Sequence, residues 1–225
     1  MTNLSPPPAA VVPPAGRPSP ARAAAKAAAH GLATVAVLPW LVCYWLGAAV
    51  FGRDRALEGA SQALAGLPGL TGVYLRRAFL ARVLARCHRS AEVSFGTLFS
   101  QAGAVIDENV YVGPRCHLGL VHLERDALVA AGVHIPSGGR THYADDPAVP
   151  IREQGGERRV VTVGAGAWVG SAAVVLADVG KGTIVGAGSV VTRPLPDYVI
   201  AAGVPAKVIR PRFAHGPGTL DEGAS

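Results

Sequence analysis

From residue 163 onward an aliphatic residue returns every six positions, at Val163, Val169 and Val175, then at Val179, Val185 and Val191. The step from Val175 to Val179 is shorter. Glycine follows the aliphatic residue at Gly164, Gly170, Gly180 and Gly186, and a small residue stands four places after it at Ala167, Ala173, Thr183 and Ser189. A helix repeats near 3.6 residues and a strand at 2, so neither yields this spacing. A six-residue period is the signature of a β-helix, whose short flat strands stack coil upon coil. The repeating aliphatic points inward, the small residue lets the chain pass close to the wall, and glycine suits the corner. Each coil needs its neighbours to bury its face.

The same period runs upstream, starting near Val93 and continuing through Val112, Leu118, Leu123, Val129 and Ile135, with a five-residue step after Leu118. It then stops. Residues 137–160, SGGRTHYADDPAVPIREQGGERRV, are polar and carry no hexads. A loop of this length in a regular scaffold is the natural place for function. Pro194, Pro196 and Pro205 end the regular coils, and Ala206 to Arg210 form a short basic closing segment.

Ahead of the repeat the pattern differs. Residues 1–27 are rich in proline, alanine and serine, with Arg17, Arg22 and Lys26, and read as a disordered tail. Residues 31–51, GLATVAVLPWLVCYWLGAAVF, contain no charge and are long enough to cross a hydrocarbon core. Pro39 should kink them, and Trp40, Tyr44 and Trp45 lie near the middle rather than at the ends. Three arrangements fit: a spanning helix, a helix that dips in and returns, and a buried soluble helix. The flanking charges, with Arg53 and Arg55 close behind, choose no orientation. Residues 56–87 read as one or two further helices broken at Pro68-Gly69. From Val73 to Arg86 the helix is basic and amphipathic. It lies on a membrane surface, covers the open end of the β-helix, or does both.

Composition narrows the partners. Half of the 225 residues are hydrophobic, only 6% are aromatic and 16% charged, as a repeat built on valine and glycine requires. The net charge of +6 suits anionic lipid or a phosphorylated ligand. No basic helix with interleaved aromatics and no zinc-finger spacing is present, so nucleic acid is not an expected partner. Cys43, Cys87 and Cys116 are odd in number and far apart, which fits a reducing compartment and small apolar roles.

WVGS at Trp168–Ser171, VGAGSVVTR at Val185–Arg193 and AAGVPAKVIR at Ala201–Arg210 carry a resemblance. Over about residues 90–212 the chain resembles the hexapeptide-repeat acyltransferases of the left-handed parallel β-helix class. It is similar to the branch with galactoside, maltose and xenobiotic acetyltransferases and polysaccharide O-acetyltransferases. The handedness is implied by the resemblance alone. The expected layout is mainly β. It comprises a tail at 1–27, apolar and amphipathic helices at 28–88, a left-handed β-helix at 89–213 with loop 137–160, and a second tail at 214–225.

The resemblance implies acetyl transfer from acetyl-CoA to a sugar or glycan hydroxyl, no metal, and a homotrimer in which the catalytic histidine and the coenzyme groove come from neighbouring subunits. Histidine is the usual base because its pKa lies near neutrality. The candidate is His142, in the loop and about two dozen residues before Trp168, as in the family. Asp145 and Asp146 could orient it, bind the acceptor or cap the loop, and Glu153 is a weaker candidate. By resemblance Ser171, Ala187, Thr192 and Arg193 line the coenzyme A arm, and Arg193, Lys207 and Arg210 lie near its phosphates. The family commonly has lysine where Arg193 stands, and the short step at Val175–Val179 could reshape the groove wall.

The remaining coil histidines, His117, His122 and His134, are expected to face outward. Alternatives are an acyltransferase for an antibiotic or other natural product and a zinc-dependent carbonic anhydrase of the same fold. For the latter His117 and His122 would need a third histidine, and Arg89 to Cys116 offers none. The apolar segment and the donor place the chain on the cytoplasmic membrane with its catalytic domain in the cytoplasm, or in the cytoplasm outright.

Overall fold

The computed structural model describes the backbone of residues 20–213 and the side chains of residues 25–213. Residues 1–19 and 214–225, most of the two expected tails, lie outside the described residues.

Three parallel sheets form the three sides of a solenoid. The first coil carries β1 (Arg86–Cys87), β2 (Glu92–Val93) and β3 (Leu98–Phe99). The second carries β4 (Val105–Ile106), β5 (Tyr111–Val112) and β6 (His117–Leu118), and the third β7 (Val121–Leu123), β8 (Leu128–Val129) and β9 (His134–Ile135). After the loop come β10 (Val161–Val163), β11 (Trp168–Val169) and β12 (Val174–Val175). The fifth coil passes through a bridge at Val179 to β13 (Ile184–Val185) and β14 (Val190–Val191). The last passes Leu195 to β15 (Val199–Ala202), on which β16 (Lys207–Pro211) folds back antiparallel.

In every coil the repeating residue is the inward one. Val93, Ile106, Val112, Leu118, Leu123, Val129, Ile135, Val163, Val169 and Val175 are fully buried, and Cys87 and Phe99 complete the first coil. The repeat therefore begins one step earlier than the aliphatic pattern announces. Its steps obey a simple rule. From first face to second, and from second to third, the inward positions are always six apart. All variation falls at the corner from third face to first: Phe99 to Ile106, Leu118 to Leu123, Ile135 to Val163, Val175 to Val179 and Val191 to Leu195. The short step at Val175–Val179 is thus an ordinary tight corner, repeated one coil later, and not a deformation of the groove wall.

A stack of coils leaves unpaired backbone groups at each end, and burying them unpaired would be costly. Four helices close the first coil: α1 (Pro20–Ala36), α2 (Leu38–Phe51), α3 (Arg53–Ala65) and α4 (Gly69–Val83). From α3, Ser61 Oγ accepts from the Phe99 amide at 3.0 Å, Asp54 Oδ1 from that of Ala102 at 2.8 Å, and the Ala65 carbonyl from that of Gly96 at 3.0 Å. From α4, Arg76 donates to the carbonyls of Val93, Leu64 and Leu67, and Arg77 to that of Ala91. These two arginines are buried, whereas Arg82 and Arg86 of the same basic set stay exposed. The helix covers the open coil, one of the two roles its sequence allowed.

The α1 helix starts at Pro20, inside the stretch read as a tail. Its ARAAAKAAA run has the highest helix propensity in the chain, and proline is tolerated in a first turn. Pro39 breaks the long apolar stretch as expected: Ala25–Ala36 and Leu38–Phe51 meet at 47°. Among the described residues no single helix is long and apolar enough to cross a membrane.

Candidate functional site

The loop at residues 137–160 leaves the scaffold at the third-to-first corner of the third coil. It is a two-armed projection rather than a slack connection. Its arms are joined by Arg159 N to Ser137 O (2.9 Å), Glu157 N to Arg140 O (2.8 Å) and Tyr143 N to Gly155 O (3.0 Å). Its feet are clamped to the coils. Ser137 Oγ accepts from the Leu120 amide at 2.9 Å, and Asp178 accepts from the Thr162 amide at 2.8 Å and from Arg159 at 3.4 Å. At the tip, Gln154 donates to the Asp146 and Val149 carbonyls, both at 2.7 Å, and accepts from the Asp146 amide at 3.1 Å.

His142 sits on the outgoing arm with its side chain exposed. Asp146 Oδ1 accepts from the Ala148 amide at 2.9 Å, so this carboxylate closes the turn of the tip, the capping role the sequence left open. Asp145 lines a shallow hollow at the tip with Tyr143, Asp146 and Gln154. Glu153 lies in a short 3-10 turn (Ile151–Glu153) beside Arg152, exposed.

Thr141, next to His142, lines a cavity of about 440 Å³ on the third face, together with Arg158 from the returning arm, His117, His134, Ser100, Gln101 and Glu58 of α3. Parallel pairing stacks His117 on His134, with ring centroids 6.0 Å apart and the rings edge to face. The sequence marked both as outward but did not join them into a site. The join depends on coil length: with a five-residue corner, residues seventeen apart lie one above the other.

The proposed groove residues divide into groups. Ser171 and Ala187 occupy the same second-to-third corner in successive coils, both exposed, and the Gly188 amide donates to Ser171 O at 2.8 Å. Above them Ala202 pairs with Lys207, so Lys207 extends this column. Arg210 pairs with Ile200 and lies further along the second face. Thr192 and Arg193 stand exposed on the other edge of the third face, at a third-to-first corner. That is the edge from which the His142 loop also springs, two coils earlier. In one chain the third face therefore separates His142 from the Ser171–Ala187–Lys207 column.

His122 is turned away from His117, onto the first face. There its Nε2 lies 2.9 Å from Asp107, which also pairs with Arg86, and this cluster ties three coils together. Among the described residues no group of three metal-ligating side chains is found. Burial drives the Cys87 thiol up to about 12 and raises that of Cys116, so neither forms a thiolate readily.

No protein-family model matches the chain. Among curated proteins, an Escherichia coli K12 protein assigned as an O-acetyl transferase of lipopolysaccharide biosynthesis, WbbJ, is 30% identical over 162 residues, covering 63% of this chain and 83% of that protein. A Mycobacterium tuberculosis H37Rv protein assigned as an acetyltransferase is 40% identical over 73 residues, which is 32% of this chain and 24% of that longer protein. A solved maltose O-acetyltransferase from Clostridium difficile 630 superposes with a TM-score of 0.56 at 18% identity, covering 70% of this chain and 87% of that one, and shares its fold. With six hexad coils, a loop at the third corner and a relative of which it spans more than four-fifths, this chain belongs to the hexapeptide-repeat acyltransferases of the left-handed parallel β-helix fold.

Proposed function

We propose that the protein is an acetyl-CoA-dependent O-acetyltransferase that acts on a sugar or glycan hydroxyl, with His142 as general base. The observation that carries this reading is the clamped loop, which holds the exposed His142 next to Thr141 at the border of a cavity large enough for a sugar ring. The relatives' assignments, an O-acetyl transferase of lipopolysaccharide biosynthesis and a maltose O-acetyltransferase, support the acetyl group and the sugar acceptor.

The chemistry needs few parts. The acceptor hydroxyl oxygen attacks the thioester carbonyl while a ring nitrogen of His142 takes the hydroxyl proton. The tetrahedral oxyanion collapses, the C–S bond breaks, and the imidazolium returns the proton to the departing thiolate. Coenzyme A lies along the Ser171–Ala187 corner, where small side chains let pantetheine approach backbone amides. Lys207, Arg193 and Arg210 serve its phosphates. Ser100, Gln101, His117 and His134 offer hydrogen-bond partners to acceptor hydroxyls. The third face that separates loop from column within one chain supports a homotrimer, in which the loop of one subunit serves the column of the next.

The test is a pair of purified variants. His142→Ala should retain coenzyme A affinity and the β signal in circular dichroism, while kcat falls by roughly 10²–10⁴. Arg193→Ala should weaken acetyl-CoA binding first and change the chemical step less. Full turnover in a folded His142→Ala enzyme removes this histidine from the mechanism.

A further inference from the structure

The N-terminal helices carry a surface that acyl transfer does not use. In α2 only Leu41 and Tyr44 are buried, and they pack with Ala33 and Val37 of the α1 end toward α4. The rest of α2, LPWLVCYWLGAAVF, is apolar and turned outward. Val42, Trp45, Leu46, Val50 and Phe51 are 49% to 73% exposed, and Val35 of α1 continues the patch at 65%. A helix that docks on one protein partner shows an apolar stripe. A helix apolar all round, with one face packed, is what lipid solvates.

The polar groups fix how lipid could meet it. At about 1.5 Å per residue, α2 spans roughly 21 Å, short of the ~30 Å hydrocarbon core. Joined to α1 across a bend of 47°, it has the length and composition of a broken span or a re-entrant loop, and the contacts of α1 decide between them. The α1 helix is tied along its length to α4. Arg77 donates to His30 at 2.9 Å and Arg82 to Thr34 at 3.2 Å. A crossing path would drag these arginines, and the first coil that α4 covers, into hydrocarbon. Cations border the apolar patch at both ends, Lys26 before it and Arg53 and Arg55 after it. Residues 25–53 contain no carboxylate, and the first one after them, Asp54, is engaged by the Ala102 amide.

We infer that the bent α1–α2 pair lies in the plane of an anionic bilayer, its outward apolar side sunk to acyl-chain depth and its flanking cations at the headgroups. The protein is held on one leaflet without crossing it. The β-helix then stands with its first coil toward the lipid. That places the cavity bordered by Glu58 of α3 on the membrane side, suited to an acceptor carried on a lipid.

The test is co-sedimentation of the full chain with vesicles of phosphatidylcholine alone and of phosphatidylcholine mixed with phosphatidylglycerol. The parent should pellet with the mixed vesicles and less with the neutral ones. Val42→Gln, Leu46→Gln and Val50→Gln combined alter only outward side chains. They should lower partitioning at least roughly tenfold, given the transfer free energy of the apolar groups removed. Circular dichroism, molecular mass in solution and transfer to a water-soluble acceptor should not change, which separates this inference from the catalytic one. Arg55→Glu should weaken binding to the mixed vesicles selectively.

Three results overturn the inference. One is equal binding by parent and triple variant. Another is a smaller assembly for the triple variant, which makes the face a contact between copies. The third is an N-terminal label that only protease enclosed in the vesicle removes, which makes the pair a crossing.

Discussion

The arm that carries His142 can be moved without touching His142. A Cβ added at Gly156, on the opposite arm, would stand 1.9 Å from Thr141 O, 2.4 Å from Thr141 C and 2.8 Å from His142 N. These are backbone atoms, so no side chain can swing aside. Restoring an ordinary contact of about 3.4 Å moves one arm against the other by roughly 1–1.5 Å. A displacement of about 1 Å at a reacting group can reduce turnover on the order of a hundredfold. Gly156→Ala should therefore lower kcat by about that factor. The scaffold's melting temperature should stay within a few degrees, because the coils are held by Val163, Val169 and their counterparts and not by this loop. Coenzyme A affinity should also stay, since the Ser171–Ala187 corner is untouched.

Gly155 is the control. A Cβ there meets nothing within 4 Å, and its φ of +77° makes alanine strained but not obstructed, at about 1–2 kcal/mol confined to the loop. Gly155→Ala should lose far less turnover. The assay is steady-state kinetics with calorimetric coenzyme A titration on both variants. If Gly156→Ala turns over like the parent, the position of the arm does not matter to chemistry, and the assignment of His142 fails with it.

Arg76→Met should destabilise the protein by about 3 kcal/mol, read as a fall in melting temperature of roughly 6–12 °C, because carbonyls of Leu64, Leu67 and Val93 lose their buried donor. A variant as stable as the parent would show that solvent satisfies those carbonyls. His30 is expected to make the docking of α1 pH-sensitive. Burial first, then the neighbouring Arg77, with Arg89 and Lys26 behind it, holds the imidazole below its ordinary value, and its Nε2 accepts from Arg77. The undocked chain then binds the extra proton, so docking is fully stable above about pH 6.5 and weakens as pH falls below it. Amide exchange over Ala25–Ala36 should accelerate in that direction beyond its intrinsic trend, and His30→Gln should remove the effect.

How much the sequence disclosed depended on where the cause of each feature lay. Most coils were legible because their aliphatic inward positions follow the six-residue period, with Val179 after a short step. The first coil was hidden because its inward residues include Cys87 and Phe99, which do not look like the aliphatic repeat although they fill the same positions. The orientation of α4 could not be read from its own residues. Arg76 and Arg77 resemble a solvated stripe until the carbonyls of Leu64, Ala91 and Val93 are brought to them by other elements. The place of His142 on a projecting loop was legible from the break in the hexads. The stacking of His117 on His134 required the coil length at that corner, which no local pattern states.

A solenoid of this kind can vary at one corner while the rest stays fixed, and the energetics explain why the loop emerges where it does. Replacing a five-residue corner by the 28-residue step from Ile135 to Val163 adds a loop-closure cost of only about 1.5 kcal/mol. The coil above resumes in register, because Val161 and Val163 pair with Val121 and Leu123 across the gap. Three hydrogen bonds at the feet, at Ser137 Oγ, Ser137 O and Asp178 Oδ1, each contribute about 1 kcal/mol and offset that cost. All the variation in step falls at the third-to-first corner, while the six-residue steps at the other two corners remain unchanged. His142, Thr192 and Arg193 therefore lie along the variable edge, and Ser171 and Ala187 along the regular one.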